Sequence, residues 1–196
     1  MRRIAITGNI ACGKSLVGQY IRSMGVPVRD ADDVAREVLA PGEAVRDRVV
    51  EAFGTVALLP GGEIDRAALG REVFGDDAKR EKLNGLMHPE ILRRLRAWVA
   101  SQDAATPCAV AIIPLLYEAG DERNWDAVIC VAAPEVEQRR RLLARGMSAK
   151  DAEARMRAQL PQADKMRRAD GVIFNCGSEE LLREQTERVM QAILGG

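Results

Sequence analysis

Apolar residues follow two rhythms along this chain. Unbroken runs at Ile4-Ala5-Ile6, 109–113, 127–131 and 171–174 read as buried strands, and Val26-Pro27-Val28 as a short extended segment. Between these runs the apolar positions recur every three or four residues. Leu16, Val17, Tyr20, Ile21 and Met24 form one face of a helix that stops at Gly25. Helical spacing continues over 33–40, up to Pro41-Gly42, and over 43–53. After a turn-rich stretch at 54–62 come three further helices: Arg66 to Phe74, Ala78 to Met87, and Pro89 to Ala100, with Pro89 at the first position of the last. Pro134 opens another helix, and Ser148-Ala149-Lys150-Asp151 begins the next in the manner of a capping box. That helix has a thin apolar face, Ala152 and Met156, and is expected to pack weakly. Ser178 caps a final helix carrying Leu181, Leu182, Val189, Ile193 and Leu194. Short apolar strands alternating with helices predict an α/β fold, a parallel five-stranded sheet flanked by helices. The strand-free run, about 59–104, is expected to be an inserted helical domain on a core formed by 1–58 and 105–196.

The first strand leads into Gly8-Asn9-Ile10-Ala11-Cys12-Gly13-Lys14-Ser15, which fits the phosphate-loop pattern G-x-x-x-x-G-K-[ST] at every fixed position. Strand, glycine-bounded loop and helix stand in the order the motif requires. A nucleoside triphosphate concentrates negative charge in a small volume. A tight backbone with inward N–H groups, continued by a helix N-terminus, suits it. Lys14 is placed to reach the β- and γ-phosphates, and the Ser15 hydroxyl to ligate Mg²⁺. The second strand runs into Asp30-Ala31-Asp32-Asp33, an acidic cluster where an open α/β sheet places its ligands. Asp32 and Asp33 also suit the first turn of the following helix.

Composition narrows the reading. The 196 residues suit one domain with a small insertion. Lysine plus arginine balance aspartate plus glutamate at 29 each, so nothing favours a nucleic acid or an anionic membrane. Aromatics at 4% argue against base-stacking platforms. Cys12, Cys108, Cys130 and Cys176 lack metal-ligand or redox spacing. Three are expected in the core, and Cys12 reads as a small residue that fits the loop. Residues 1–10 lack the marks of a signal peptide and no apolar run spans a bilayer, so a cytoplasmic protein is expected, a monomer or weak homo-oligomer.

A phosphate loop alone leaves several reactions open. A GTPase would carry N-K-x-D and D-x-x-G, and the sequence has neither. A large ATPase motor would end a neighbouring strand in an acidic residue, where this chain has Pro114. A small-molecule kinase needs a base for the acceptor hydroxyl, cations over the transferred group, and a lid against water. Asp30 or Asp32 suits the first task. Arg139, Arg140, Arg141 and Arg145, leading into the thinly packed helix, suit a lid at about 135–165.

The chain also resembles the dephospho-coenzyme A kinase family over nearly its whole length. The marks are the loop from Thr7-Gly8 to Ser15; Asp30-Ala31-Asp32 with Ala35-Arg36; Pro41-Gly42; Arg66-Ala67-Ala68-Leu69 with Val73-Phe74; Leu83-Asn84 with His88-Pro89; Pro114-Leu115-Leu116 with Glu118; Gln138 with Arg141 and Arg145; Ala158-Gln159-Leu160-Pro161 with Lys165; and Ala169-Asp170 with Asn175. The resemblance implies ATP-dependent phosphorylation of the ribose 3′-hydroxyl of dephospho-coenzyme A, the last step of coenzyme A synthesis. The alternatives are another small-molecule or nucleotide kinase with this loop, or a non-catalytic nucleotide sensor. It implies a nucleotide core, a helical coenzyme A domain and a lid. Asp32 matches the proposed general base, with Asp30 holding that segment or a metal-bound water. His88 lies near the acceptor position. Arg141 and Arg145 match lid positions over the phosphoryl group. Nucleotide contacts are expected from Gly8, Ala11, Cys12, Gly13, Lys14, Ser15, Leu16, Arg145 and Asn175. The chain departs from the family at Asn9, Ala11 and Cys12, where Gly, Gly and Ser are usual. It departs again at Arg139, usually apolar, and at Gly146 and Phe174, usually acidic. Asn tolerates a left-handed backbone better than most residues, so the change at Asn9 is expected to leave the loop unharmed, and Ala11 is the tighter fit.

Overall fold

In the computed structural model, which describes residues 1–54, 58–73, 76–103 and 105–195, the five apolar runs form one parallel sheet. β1 (Arg2–Thr7) lies at its centre, between β3 (Cys108–Ile112) and β4 (Ala127–Ala132); β2 (Val28–Asp30) and β5 (Gly171–Phe174) are the edges, giving the order β2-β3-β1-β4-β5. All residues of β3 and β4 are buried, as expected of strands covered by helices on both faces. β2 sits two residues later than the extended segment read from the sequence, because Pro27 has no N–H to give and joins the ladder only through its carbonyl, which accepts from Val110 N (2.9 Å). Register places Asp30 beside Ile112, Ile112 beside Ile6, and Thr7 beside Cys130, so the strands finish along one edge.

The chain divides into two compact units, Met1–Asp30 with Val99–Gly196, and Ala31–Trp98. The first holds the sheet, α1 (Lys14–Ser23), α6 (Glu135–Ala144), α7 (Ala149–Arg157), α8 (Gln162–Arg168) and α9 (Glu179–Gly195). Its core joins Ile4, Ile6, Val110, Ile112, Ile129 and Val131 of the sheet to Val17 and Ile21 of α1 and to Leu182, Met190 and Ile193 of α9. Leu181 and Leu194 face solvent instead, and the buried stripe of α9 is Leu182, Thr186, Met190 and Ile193. Cys108 and Cys130 are buried strand residues, but Cys176, expected in the core, is exposed in the turn beyond β5.

The second unit holds α2 (Ala31–Glu37), α3 (Ala44–Phe53), α4 (Arg66–Val73) and α5 (Asp77–Ala100) up to Trp98. It begins earlier in the chain than the strand-free run at 59–104. The two helices expected around Pro89 are one continuous helix, α5, with the proline inside it. Proline removes only its own hydrogen bond, to the carbonyl of Gly85, and the flanking turns hold: Ile91, Leu92, Leu95 and Val99 form a buried stripe beyond it. Arg94 joins α5 to Glu43 at the start of α3 and also bonds Glu90 (2.8 Å). Phe74, expected to end α4, lies outside the described residues.

Candidate active site

The phosphate loop emerges between β1 and α1. Gly8 has φ +141°, and a Cβ there would stand 2.1 Å from the carbonyl oxygen of Val131 on β4. Gly13 has φ +101°, and a Cβ would stand 2.2 Å from Nδ2 of Asn175. Both fixed glycines therefore satisfy two demands at once, a left-handed backbone and a close approach. The remaining left-handed residue of the loop is Ala11 (φ 60°), so the tolerance of Asn9 for that conformation is not called upon. A non-glycine residue in that region costs roughly 1–2 kcal/mol and persists where its surroundings fix it.

Those surroundings are explicit. Arg141 on α6 donates to the carbonyls of Ala11 (3.0 Å) and Asn175 (3.3 Å). Asn175 donates through Nδ2 to the carbonyl of Cys12 (2.8 Å), while its own N–H bonds Ala132 at the end of β4 (2.7 Å). Ala11 packs with Leu142 and Ala152, joined by Ile10, Met147 and Met156, so the thin apolar face of α7 closes on the loop itself. Ser148 caps α7 as its sequence implied, accepting from Asp151 N (3.1 Å).

Lys14 is buried, and its ammonium donates to the carbonyls of Gly8 and Asn9, 2.9 Å from each. Held in this way, it presents charge at the centre of the loop. The ladder of α1 starts with Leu16 and Val17 donating to the carbonyl of Gly13 (3.0 and 3.1 Å), so the N–H groups of Lys14 and Ser15 precede it, at the positive end of the helix. Ser15 is exposed beside them, and Leu16 is half-buried. Cys12 is fully buried and bonds Oε1 of Gln162 (3.4 Å). Burial pushes its thiol up, outweighing the nearby Lys14 and Lys165 ammonium groups that pull it down.

The segment that joins α7 to α8, within the expected lid but with no residue of it assigned a contact, lies against the loop. Oε1 of Gln159 accepts from Ile10 N (2.7 Å), and Asn9 Nδ2 donates to the carbonyl of Leu160 (3.3 Å). Leu160 N bonds Glu118 (3.0 Å); Glu118 pairs with the fully buried Lys165 (2.7 Å), whose ammonium also bonds the Pro114 carbonyl (3.1 Å). Oε1 of Gln162 further accepts from Ala133 N (3.1 Å) and from the buried Gln138 (3.0 Å). The available signal was the stretch Ala158-Gln159-Leu160-Pro161 with Lys165, already among the marks of the family resemblance.

Loop, Arg141 and Asn175 thus come together, with the Arg141 guanidinium on backbone carbonyls of Ala11 and Asn175. Arg145 caps the C-terminus of α6 with an exposed side chain. Asp30 ends β2 on the loop's edge of the sheet, as register requires. Asp32, with Asp33, falls in the first turn of α2, and His88 lies half-buried within α5; both belong to the second unit.

A parallel sheet whose central strand feeds a phosphate loop, with a helical excursion and an arginine-bearing helix pair, defines a phosphate-loop small-molecule kinase. Shikimate kinases from Bacteroides thetaiotaomicron and Acinetobacter baumannii share this fold, with TM-scores of 0.54 and 0.56 over the whole chain at 15% and 14% identity, covering 99% and 94% of those chains. The dephospho-CoA kinase family model matches residues 2–180, and the chain belongs to that family, whose reaction completes coenzyme A biosynthesis. The dephospho-CoA kinases of Anaeromyxobacter dehalogenans and Geobacillus kaustophilus are 41% and 44% identical over 100% and 97% of this chain and 94% of each relative. The crystal structure of TT1252 from Thermus thermophilus superimposes with a TM-score of 0.79 at 38% identity, over 99% of this chain and 96% of that one. No described helix is long and apolar enough to cross a membrane.

Proposed function

We propose that the chain transfers the γ-phosphoryl group of ATP to the ribose 3′-hydroxyl of dephospho-coenzyme A through the following division of labour. The loop binds the triphosphate. Lys14 exchanges its two loop carbonyls for phosphate oxygens, a stronger charge-assisted pairing, and neutralises charge that builds as the phosphoryl group moves. The N–H groups of Lys14 and Ser15 hold the β-phosphate end of the nucleotide.

Magnesium fits this donor set. Mg²⁺ is held by few protein oxygens together with substrate phosphates, and the exposed Ser15 hydroxyl at the start of α1 is such a ligand. When bound, the ion supplies charge neutralisation between the β- and γ-phosphates. Asp30, closing β2 on the same sheet edge, is the second oxygen donor of the core, acting directly or through water.

Asp32 is the general base, accepting the proton of the 3′-hydroxyl as its oxygen attacks phosphorus in line. One residue, Ala31, separates it in the chain from Asp30, the last residue of β2. His88 contacts the acceptor. Arg141, already fixed on the loop, keeps the cradle's shape, and Arg145, one turn further along α6, closes over the phosphates with the lid at about 135–165. The helical substrate domain supplies the coenzyme A surface. A cytoplasmic monomer or weak homo-oligomer acting on a small molecule is the consistent setting.

The observation that carries this reading is Lys14 held between the carbonyls of Gly8 and Asn9 at the mouth of a helix. Its test is an ADP-release assay with Mg²⁺ and ATP. Release is expected with dephospho-coenzyme A and not with shikimate or a nucleoside monophosphate. Asp32→Asn is expected to bind MgATP with wild-type affinity while losing about 10²–10⁴-fold in turnover. Undiminished turnover in that variant removes Asp32 from the mechanism.

A further inference from the structure

We propose that Gln159 is a positioning residue for the nucleotide: from the turn between α7 and α8 it fixes the Ile10 amide, and through it the strained crest of the phosphate loop. Three observations carry this. The crest contains Ala11 at φ 60°, a conformation that an alanine keeps only when its neighbours impose it. The Gln159 oxygen meets Ile10 N at 2.7 Å, one residue before the strained position, and Arg141 meets the Ala11 carbonyl on its other side at 3.0 Å. The turn that carries Gln159 is itself anchored, because Leu160 bonds Asn9 through its carbonyl (3.3 Å) and Glu118 through its N–H (3.0 Å). Glu118 in turn pairs with Lys165, which is fully buried.

The crest is therefore gripped by side chains far away in sequence. A loop whose N–H groups are already aimed binds phosphate without an ordering cost at the moment of binding. Gln159 acts on ATP through the backbone of the loop, not by touching it. Asn9 adds a tether that the family's usual glycine lacks, since a residue without a side chain has no amide to offer Leu160.

The inference rests on the loop being the MgATP site, and the test separates the two. Calorimetry with wild-type protein and MgATP comes first; absence of binding overturns the nucleotide site and this role with it. Given wild-type binding, Gln159→Met, which keeps length and removes the acceptor, is expected to raise the Kd for MgATP and the KM for ATP about tenfold. The KM for dephospho-coenzyme A and the melting temperature are expected to stay at wild-type values. The Ile10 amide, followed by hydrogen exchange, is expected to lose protection in Gln159→Met and to keep it in Gln159→Glu, which retains an acceptor oxygen. An unchanged or tighter Kd in Gln159→Met, or an Ile10 amide equally protected in both variants, overturns the role of Gln159 and leaves the nucleotide site standing.

Discussion

At the residue scale, the loop's shape depends on side chains from distant stretches of the chain: Gln159 meets Ile10, Gln162 meets Cys12, Glu118 meets Leu160 and Lys165 meets Pro114. The loop itself was readable because its eight residues are consecutive, whereas the sequence marked Gln159, Glu118 and Lys165 only as family positions and carried no sign of the atoms they meet. Two predictions belong here. Gly13→Ala places a methyl against the Asn175 amide at 2.2 Å, so it is expected to break the Asn175–Cys12 bond and abolish measurable MgATP binding in calorimetry. Glu118→Gln leaves the Lys165 ammonium inside the protein without its carboxylate, and about 3–5 kcal/mol of stability is expected to be lost in urea unfolding. Combining it with Lys165→Met, which removes the stranded charge, is expected to recover most of that loss.

At the element scale, unbroken apolar runs and the 3.6-residue period located the strands and most helices, and they failed where tertiary packing overrode a local rule. Pro89 looked like a helix start, but Ile91, Leu92, Leu95 and Val99 bury one stripe of a helix that runs through it. α7 looked loosely held because its apolar residues are few, yet Ala152 is fully buried against the loop; a small side chain lets the helix approach closely. α5 also carries a pH-dependent contact. Hydrogen bonds from Arg93 and then Arg94 hold the Glu90 carboxyl at about 2, below its ordinary 4.5. Above pH 4.5 it is ionised in folded and unfolded chains alike, and its contribution is complete. As pH falls from 4.5 towards 2 the unfolded chain takes up the proton first, and the contribution disappears. Glu90→Gln is therefore expected to cost stability at pH 7 and none near pH 2, in urea titrations at the two values. The cluster is partly open to solvent, so the difference at pH 7 is expected to be about 0.5–1 kcal/mol.

At the scale of the whole molecule, fold class and family were legible, but strand order was not, because periodicity marks which residues are buried and not which strand they face. The order β2-β3-β1-β4-β5 puts the loop's strand in the middle, paired on both sides, and leaves a three-residue strand at one edge. Hydrogen exchange is expected to show this: amides of Ile4, Ala5 and Ile6 open only with global unfolding, while those of β2 exchange through local fraying. The distribution of thiols has a practical consequence. Of the four cysteines only Cys176 is exposed, and it follows Asn175, which grips the phosphate loop. A maleimide dye added to the native, otherwise unaltered protein thus labels one place, next door to the nucleotide cradle, and turns ligand arrival into a fluorescence signal without any engineering of the chain.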